Sequence, residues 1–389
     1  MVQPATQSAD SSTIRLRIGV LRFRLTPVSV LIVPAVNKGN MLRGAFGNAF
    51  RRLCCIPQCR DARSCPLAES CPYKQIFEPS PPPGGERLSK NQDIPRPFIF
   101  RPPPTTQTHF EPGQSFEFEL VLIGRALDYV PYFVLAFREL AEAGLGLNRG
   151  RCTLDRVEEL DVARTVQSAP EHSSPSQSPV AGYSSLVSGH PSPVTGRQSS
   201  VALIYSNEDE LFRSVKGINL GEWIESRIRE LQSAIHNSQS AIPGGSRSAT
   251  RNPKSGIRIS FLTPTFIRAD GQVIREPEFH HIFKRLRDRI NALSTFFGNA
   301  PLDVDFRGIG ERSEQIKRIA ARFEWIDRAR TSTRTGQRHE LSGFVGEATY
   351  EGELEEFLPW LVMGEFVHVG KHAPWGNGHI RISDRGLSA

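Results

Sequence analysis

Three groups of residues have types and spacings that could do chemistry. The first is Gly370-Lys371-His372-Ala373-Pro374-Trp375-Gly376-Asn377-Gly378, which sets a cation and a titratable imidazole among glycines between two predicted strands. A glycine-rich turn with an adjacent Lys can hold a nucleic-acid backbone; a plain glycine hairpin is the alternative. A Walker A loop needs Gly-x-x-x-x-Gly-Lys-Ser/Thr after a strand. Here Glu365 stands at the first glycine position and His372 at the hydroxyl position, so a nucleoside triphosphatase is not expected.

The second group is basic. Between Arg247 and Arg338 there are 19 Lys/Arg against 10 Asp/Glu, a net of +9. The other residues total 29 against 31, or −2, so the excess is local. Most of it is Arg, whose planar fork suits phosphate better than the Lys ammonium does. Arg287 and Arg289 lie on the outer face of a predicted helix, and Arg328, Arg330 and Arg334 precede a glycine turn. Together with Arg43 they are candidates for a polyanion-binding face; a solvated basic surface is the bland alternative. The third group is Cys55, Cys59, Cys65 and Cys71, with Cys54 as a substitute for Cys55. Clustered cysteines point to a metal site. Only one pair has the C-x₂₋₄-C spacing of structural zinc. Zinc is expected ahead of iron–sulfur, with free, packing cysteines as the alternative.

These groups need elements to position them. Ile14–Leu25 alternates as a half-buried strand does. Asn40 can cap a helix to Leu53, with Leu42, Phe46, Ala49, Phe50 and Leu53 inward. Gly44 and Gly47 inside that helix each cost about 1 kcal/mol against Ala, so something should approach its backbone closely. Phe116–Ile123 and Cys152–Leu160 read as strands, with a weaker one at Phe98–Phe100, and Asp128 caps a helix ended by Gly144. The second half repeats this order. Ile257–Leu262, Arg322–Ile326, Leu341–Tyr350 and His379–Ile382 are strands; Glu278–Phe297 and Leu354–Val362 are helices. Residues 168–200 hold 11 Ser and 5 Pro, too few apolar side chains to pack. The expected fold class is α+β, with two tandem ferredoxin-like (RRM-like, βαββαβ) domains. The boundaries are 1–162, with a Cys-rich insertion, a Ser/Pro-rich linker at 163–200, and 201–389 with the glycine-rich loop.

The C-terminal third runs Leu341-Ser342-Gly343-Phe344-Val345-Gly346, then Phe357-Leu358-Pro359, then Gly364-Glu365-Phe366-Val367-His368-Val369-Gly370-Lys371 and the glycine loop. It resembles the CRISPR repeat-RNA-processing endoribonucleases of the RAMP superfamily. In the first half, Leu42-Arg43-Gly44-Ala45-Phe46-Gly47, Cys71-Pro72-Tyr73 leading to Phe77-Glu78, and Leu145-Gly146-Leu147-Asn148-Arg149-Gly150 resemble the same family. The resemblance implies two such domains gripping CRISPR repeat RNA, and cleavage without a cofactor. A 2′-hydroxyl would attack the adjacent phosphate, leaving a 2′,3′-cyclic phosphate and a 5′-hydroxyl. It also implies RNA contacts from the loop, Gly370, Gly376 and Gly378 included. Many relatives carry a catalytic His on or just after the first helix. Here no His precedes His109, and that helix offers Asn48. His372 is therefore the expected acid–base group, with Lys371 steadying phosphorane charge.

Two other readings stay open: a noncatalytic repeat-RNA-binding subunit, and an unrelated zinc-stabilised RNA-binding protein. Repeat RNA and CRISPR effector subunits are the expected partners. No apolar run reaches the roughly 20 residues of a membrane span, and the first 15 residues lack a secretory core. No membrane association and a cytoplasmic location are expected.

Overall fold

The computed structural model describes residues 16–59, 65–79, 94–161, 202–209, 211–219, 223–232, 256–298, 300–331 and 338–384. The Ser-rich segment expected at 168–200 lies outside them. The fold is mixed α/β with antiparallel sheets.

In the first half the order is β1 (Arg17–Pro27), α1 (Lys38–Cys54), β2 (Phe98–Arg101), β3 (Phe116–Ile123), α2 (Val130–Ala143) and β4 (Cys152–Glu159), with β5 (Ala202–Ser206) added at the edge. The sheet runs β2-β3-β1-β4-β5, all antiparallel. A helix at 223–232, α3, leads into the second half. There β6 (Gly256–Thr265), the hairpin β7 (Ile267–Ala269) and β8 (Gln272–Ile274), α4 (Phe279–Phe297), α5 (Phe306–Arg312), β9 (Lys317–Ile326), β10 (Gly343–Glu351), α6 (Leu358–Val367) and β11 (Ile380–Asp384) follow. The main sheet of this half runs β9-β10-β6-β11. Each half therefore sets its first strand between its third and fourth, with one helix after the first strand and another after the third.

The burial pattern of β1 explains its sequence. Leu21, Phe23 and Leu25 face the first core, beneath α1 and α2, while Leu16, Ile18 and Val20 on the other face join the core of the second half. Farther along that second face Arg22 and Arg24 pair with Glu117 and Glu119 of β3. The end of β3 is apolar throughout for the same reason: Leu120 and Leu122 enter one core, Val121 and Ile123 the other. The first sheet is thus covered on both faces at one end and open at the other.

α1 starts at Lys38, with Asn37 in the left-handed region as its N-cap, three residues before the Asn40 cap expected from the sequence. It forms despite its glycines because its inner face is aromatic. Phe46 stacks on Phe50 at 4.9 Å and on Phe133 of α2 at 4.7 Å. Such pairs add about 0.5–1.5 kcal/mol each beyond burial. α6 is buried on every side, which is what an all-apolar helix requires.

Candidate nucleic-acid interface

The glycine-rich loop is an interior joint between the halves, and α1 is what it joins. Gly39, Arg43 and Gly47 recur every four residues, so they share one face of α1. A Cβ on Gly39 would stand 2.0 Å from the Trp375 carbonyl oxygen, and one on Gly47 2.3 Å from the Phe77 ring. Between them the Arg43 guanidinium lies 4.2 Å from the Trp375 ring and 4.6 Å from that of Phe77. The close approach expected from the helix glycines is real at Gly47 and absent at Gly44, where an added Cβ meets nothing within 4 Å. Gly44→Ala should therefore stabilise the protein by about 0.5–1 kcal/mol through helix propensity. Gly47→Ala should destabilise it by about 1–3 kcal/mol through overpacking. Denaturant midpoints of the two variants check this; equal shifts would contradict the packing assigned to α1.

Within the loop, Gly370, Gly376 and Gly378 all have positive φ, and a Cβ on each would strike a protein carbonyl oxygen, of Phe266, Phe100 and Val369 respectively. The amides of Lys371, Trp375, Gly376 and Gly378 donate to the carbonyls of Phe266, His372, Ala373 and Pro264. Gly376 and Gly378 are buried. The conformation of all three glycines, and the amides of Gly376 and Gly378, thus serve the protein's own fold. What the loop shows outward is Lys371, which is exposed, and His372, which is half-buried. His372 is itself in the left-handed region, at φ 68°, a conformation costly for any residue but glycine.

A basic and aromatic track extends from this point. The His372 ring lies edge-on to Trp375 at 5.3 Å and 6.4 Å from Phe266. Phe266 lies 6.3 Å from Trp325 on β9. Over these rings sit cations: Arg268 and Lys371 over Phe266, at 5.6 and 5.8 Å, and Arg275 over Trp325 at 4.6 Å. Arg268, Arg275 and Lys371 are exposed. With Arg43 at the far end, the track joins α1, the loop, the β7–β8 hairpin and β9. Sequence reasoning missed Arg268, Arg275, Phe266 and Trp325, because residues so far apart become neighbours only through the β6–β10–β9 pairing.

Behind the loop is a buried polar network. Arg101 of β2 donates from Nε to His368 Nε2 at 3.1 Å and from Nη2 to the Glu365 carbonyl, and lies 3.7 Å from the Glu119 carboxylate. A guanidinium only donates, so His368 Nε2 accepts and the proton sits on Nδ1, which donates to the Asn377 carbonyl at 3.0 Å. The His379 ring stacks on His368 at 4.7 Å. Burial pushes both imidazoles well below their ordinary value, so both are neutral. Neither is a proton shuttle. His281 is likewise occupied: Nδ1 accepts from the Glu278 amide in a capping box.

Glu365 reaches Ile382, whose amide donates to Oε1 at 2.8 Å, and its Oε2 has no hydrogen-bond partner among the described residues. Burial raises the Glu365 carboxyl to about 7, against the pull of Arg227, Arg381 and Arg101. For an acid raised in the folded state, the stabilisation is complete below its ordinary 4.5 and is lost as pH rises through about 7. The expected contribution is on the order of 3 kcal/mol. Unfolding free energy should fall between pH 5 and pH 8, and Glu365→Gln should flatten that fall. An unchanged slope in the variant would place the titrating group elsewhere.

The remaining sequence candidates divide. Arg287 donates to the Phe306 carbonyl and pairs with Asp288. Arg289 is removed from the outer face: its Nε donates to the Val367 carbonyl, its Nη2 is buried, and desolvation lowers it to about 10. The α4 arginines thus brace α5 and α6, which corrects their assignment to RNA. Arg328 is half-buried beside the ladder of Ala329–Thr331 with Arg338–Glu340; the Arg330 side chain and Arg334 lie outside the described residues. The cysteines are all free thiols. Burial and neighbouring thiols push Cys54 up to about 12 and Cys55 to about 11. Among the described residues no three His, Cys, Asp or Glu side chains already stand in a metal-holding group.

Comparison with known proteins gives two family matches. Residues 259–380 match the family described as CRISPR-associated endoribonuclease Cas6. Residues 16–178 match one described as an N-terminal domain. No curated protein matches the sequence. Among solved structures, a Cas6 product complex is 16% identical, with 94% of this chain and 99% of that chain covered, at a TM-score of 0.47. Thermus thermophilus Cas6 is 14% identical, with 94% and 98% covered, at 0.44. A partial Cas6-RT-Cas1–Cas2 complex is 13% identical, at 0.48, with 96% of this chain covered and 47% of the larger one, so this chain spans about half its length.

Proposed function

We propose that this chain is an endoribonuclease that binds CRISPR repeat RNA and cuts it without a metal, leaving 2′,3′-cyclic phosphate and 5′-hydroxyl ends. In this reading the two βαββαβ units, 1–162 and 201–389 joined by 163–200, are ferredoxin-like domains. The Cas6 family match over the second half supports it. The single observation that carries the RNA assignment is the row of exposed cations beside Lys371 and His372, set over buried Phe266 and the half-buried rings of Trp325 and Trp375. Single-stranded nucleic acid is held by such surfaces, with bases on rings and phosphates on cations.

The chemistry needs a group to take the 2′-hydroxyl proton, a group to protonate the leaving 5′-oxygen, and charge to steady the phosphorane. His372 has the only described imidazole on the track, and Lys371 lies beside it. Repeat RNA is the substrate, and other CRISPR effector subunits are partners for the guide RNAs made. The described residues contain no helix long and apolar enough to cross a membrane, and we place the protein in the cytoplasm with its RNA.

Truncating the track tests the binding surface. Trp325→Ala should weaken repeat-RNA binding by about 1–3 kcal/mol, one stacked base. Arg275→Ala should reduce the slope of log affinity against log salt by about one phosphate contact. Repeat RNA that binds both variants as it binds the parent would remove the track from the interface.

A further inference from the structure

We infer that Cys55, Cys59, Cys65 and Cys71 bind one Zn²⁺ in an all-thiolate structural site that ties the end of α1 to the turn at Tyr73–Phe77. The segment between these elements is the argument's starting point. From Ile56 to Ser70 there is no regular helix or strand among the described residues, only short turns closed by Cys59 N–H to the Ile56 carbonyl and Ala68 N–H to the Cys65 carbonyl. Its larger apolar residues contribute little: Leu67 is 49% exposed, and neither Ile56 nor Leu67 belongs to either core. Something other than apolar burial must hold it.

The cysteines are the residues placed to do so. The Cys59 thiol hydrogen-bonds with both Cys55 and Cys65, and Cys71 lies within electrostatic reach of Cys54, Cys55 and Cys59. Four thiols separated by three, five and five residues thus lie along one short segment, in pairwise contact. None forms a disulfide. The thiols meet in pairs and do not yet converge on one point. Cys55, Cys59 and Cys65 are half-buried, on a helix end and on turns, and only Cys71 is anchored in the core. Rotation about the Cα–Cβ bonds of the three freer residues is the movement that convergence requires.

The donor set selects the metal. Four sulfurs suit a thiophilic tetrahedral ion rather than calcium or magnesium. Thiolates crowded together repel one another, and a dication removes that repulsion by replacing their protons. Cys55 is chosen over Cys54 because it is Cys55 with which the Cys59 thiol hydrogen-bonds. The site stands apart from the proposed cleavage chemistry, so it is independent of the function assigned above.

Metal content of the full chain tests this. Protein purified without chelator should carry about one zinc per chain. After acid release and reloading with Co²⁺, it should show thiolate-to-cobalt charge-transfer bands and the visible d–d bands of tetrahedral cobalt, bleached by Zn²⁺. Cys59→Ser should lose the metal and the bands, whereas Cys152→Ser should keep both, since Cys152 is buried under another element and donates to the Gly150 carbonyl. If Cys59→Ser is not soluble, Cys65→Ser provides the same reading. Metal-free protein without cobalt bands overturns the site, as does a Cys59→Ser variant that binds metal like the parent, or a mass two hydrogens lower that reveals a disulfide.

Discussion

His372→Ala should slow single-turnover cleavage of repeat RNA by roughly 10²–10⁴-fold while leaving its affinity close to the parental value. That range is what a positioned acid–base group contributes, about 3–5 kcal/mol of barrier. The expectation rests on position, and other described histidines are already engaged. His368 is buried and His379 is half-buried against it, both neutral; His281 is engaged in a helix cap, and His109 pairs on a short ladder with Ile32. His372 is half-exposed, held in the left-handed region between Trp375 and Phe266, and adjacent to Lys371. Lys371→Ala should lower both affinity and rate, because an ammonium beside phosphate serves ground state and transition state alike. Cleavage by His372→Ala at the parental rate would make the loop a clamp. The rate would then rest on alignment of the 2′-oxygen with the scissile bond.

Arg101→Met should cost about 3–5 kcal/mol of unfolding free energy, the scale for breaking a buried ionic network by removing one partner. Arg101 is 8% exposed and is the one side chain that bonds the first sheet, through Glu119, to both His368 and the end of α6. Without it the Glu365 carbonyl and His368 Nε2 lose a donor in a dry site, and the His368–Asn377 bond that steadies the loop loses its tautomer control. Arg101→Lys keeps the charge but cannot fork, so it should recover only part of the loss. Denaturant unfolding of both variants decides this. A cost below about 1 kcal/mol for Arg101→Met would show that the two halves are held by apolar packing alone.

How much of this was legible in the sequence depended on period and distance. β3 was read to its exact ends, and α4 within one residue, because one face of each is apolar and the pattern is local. α6 was cut short at Val362, because a helix buried on all sides has no period to read. The glycine loop was recognised as special, and its glycines were assigned to RNA. Their service to the protein's own fold is something only the carbonyls of Phe100, Phe266 and Val369 reveal. Arg43 was read only as a candidate RNA ligand; the structure sets it on the face of α1 that meets the loop. Its neighbours Phe77 and Trp375 were invisible as partners, since one follows the Cys-rich segment and the other belongs to the second half. Arg289 was misread for the reason that makes buried arginines hard: on a helix wheel it looks solvated, and only the chain turn at Val367 supplies its acceptor.

The most direct test of the central claim is incubation of the purified chain with a radiolabelled CRISPR repeat RNA in excess EDTA, with the product ends analysed. The account predicts one cut at a fixed position within the repeat. The upstream fragment should resist phosphatase until acid opens its cyclic phosphate, and the downstream fragment should accept a 5′-phosphate from a kinase directly. RNA that binds but stays intact, or is cut only when a divalent metal is restored, would contradict it.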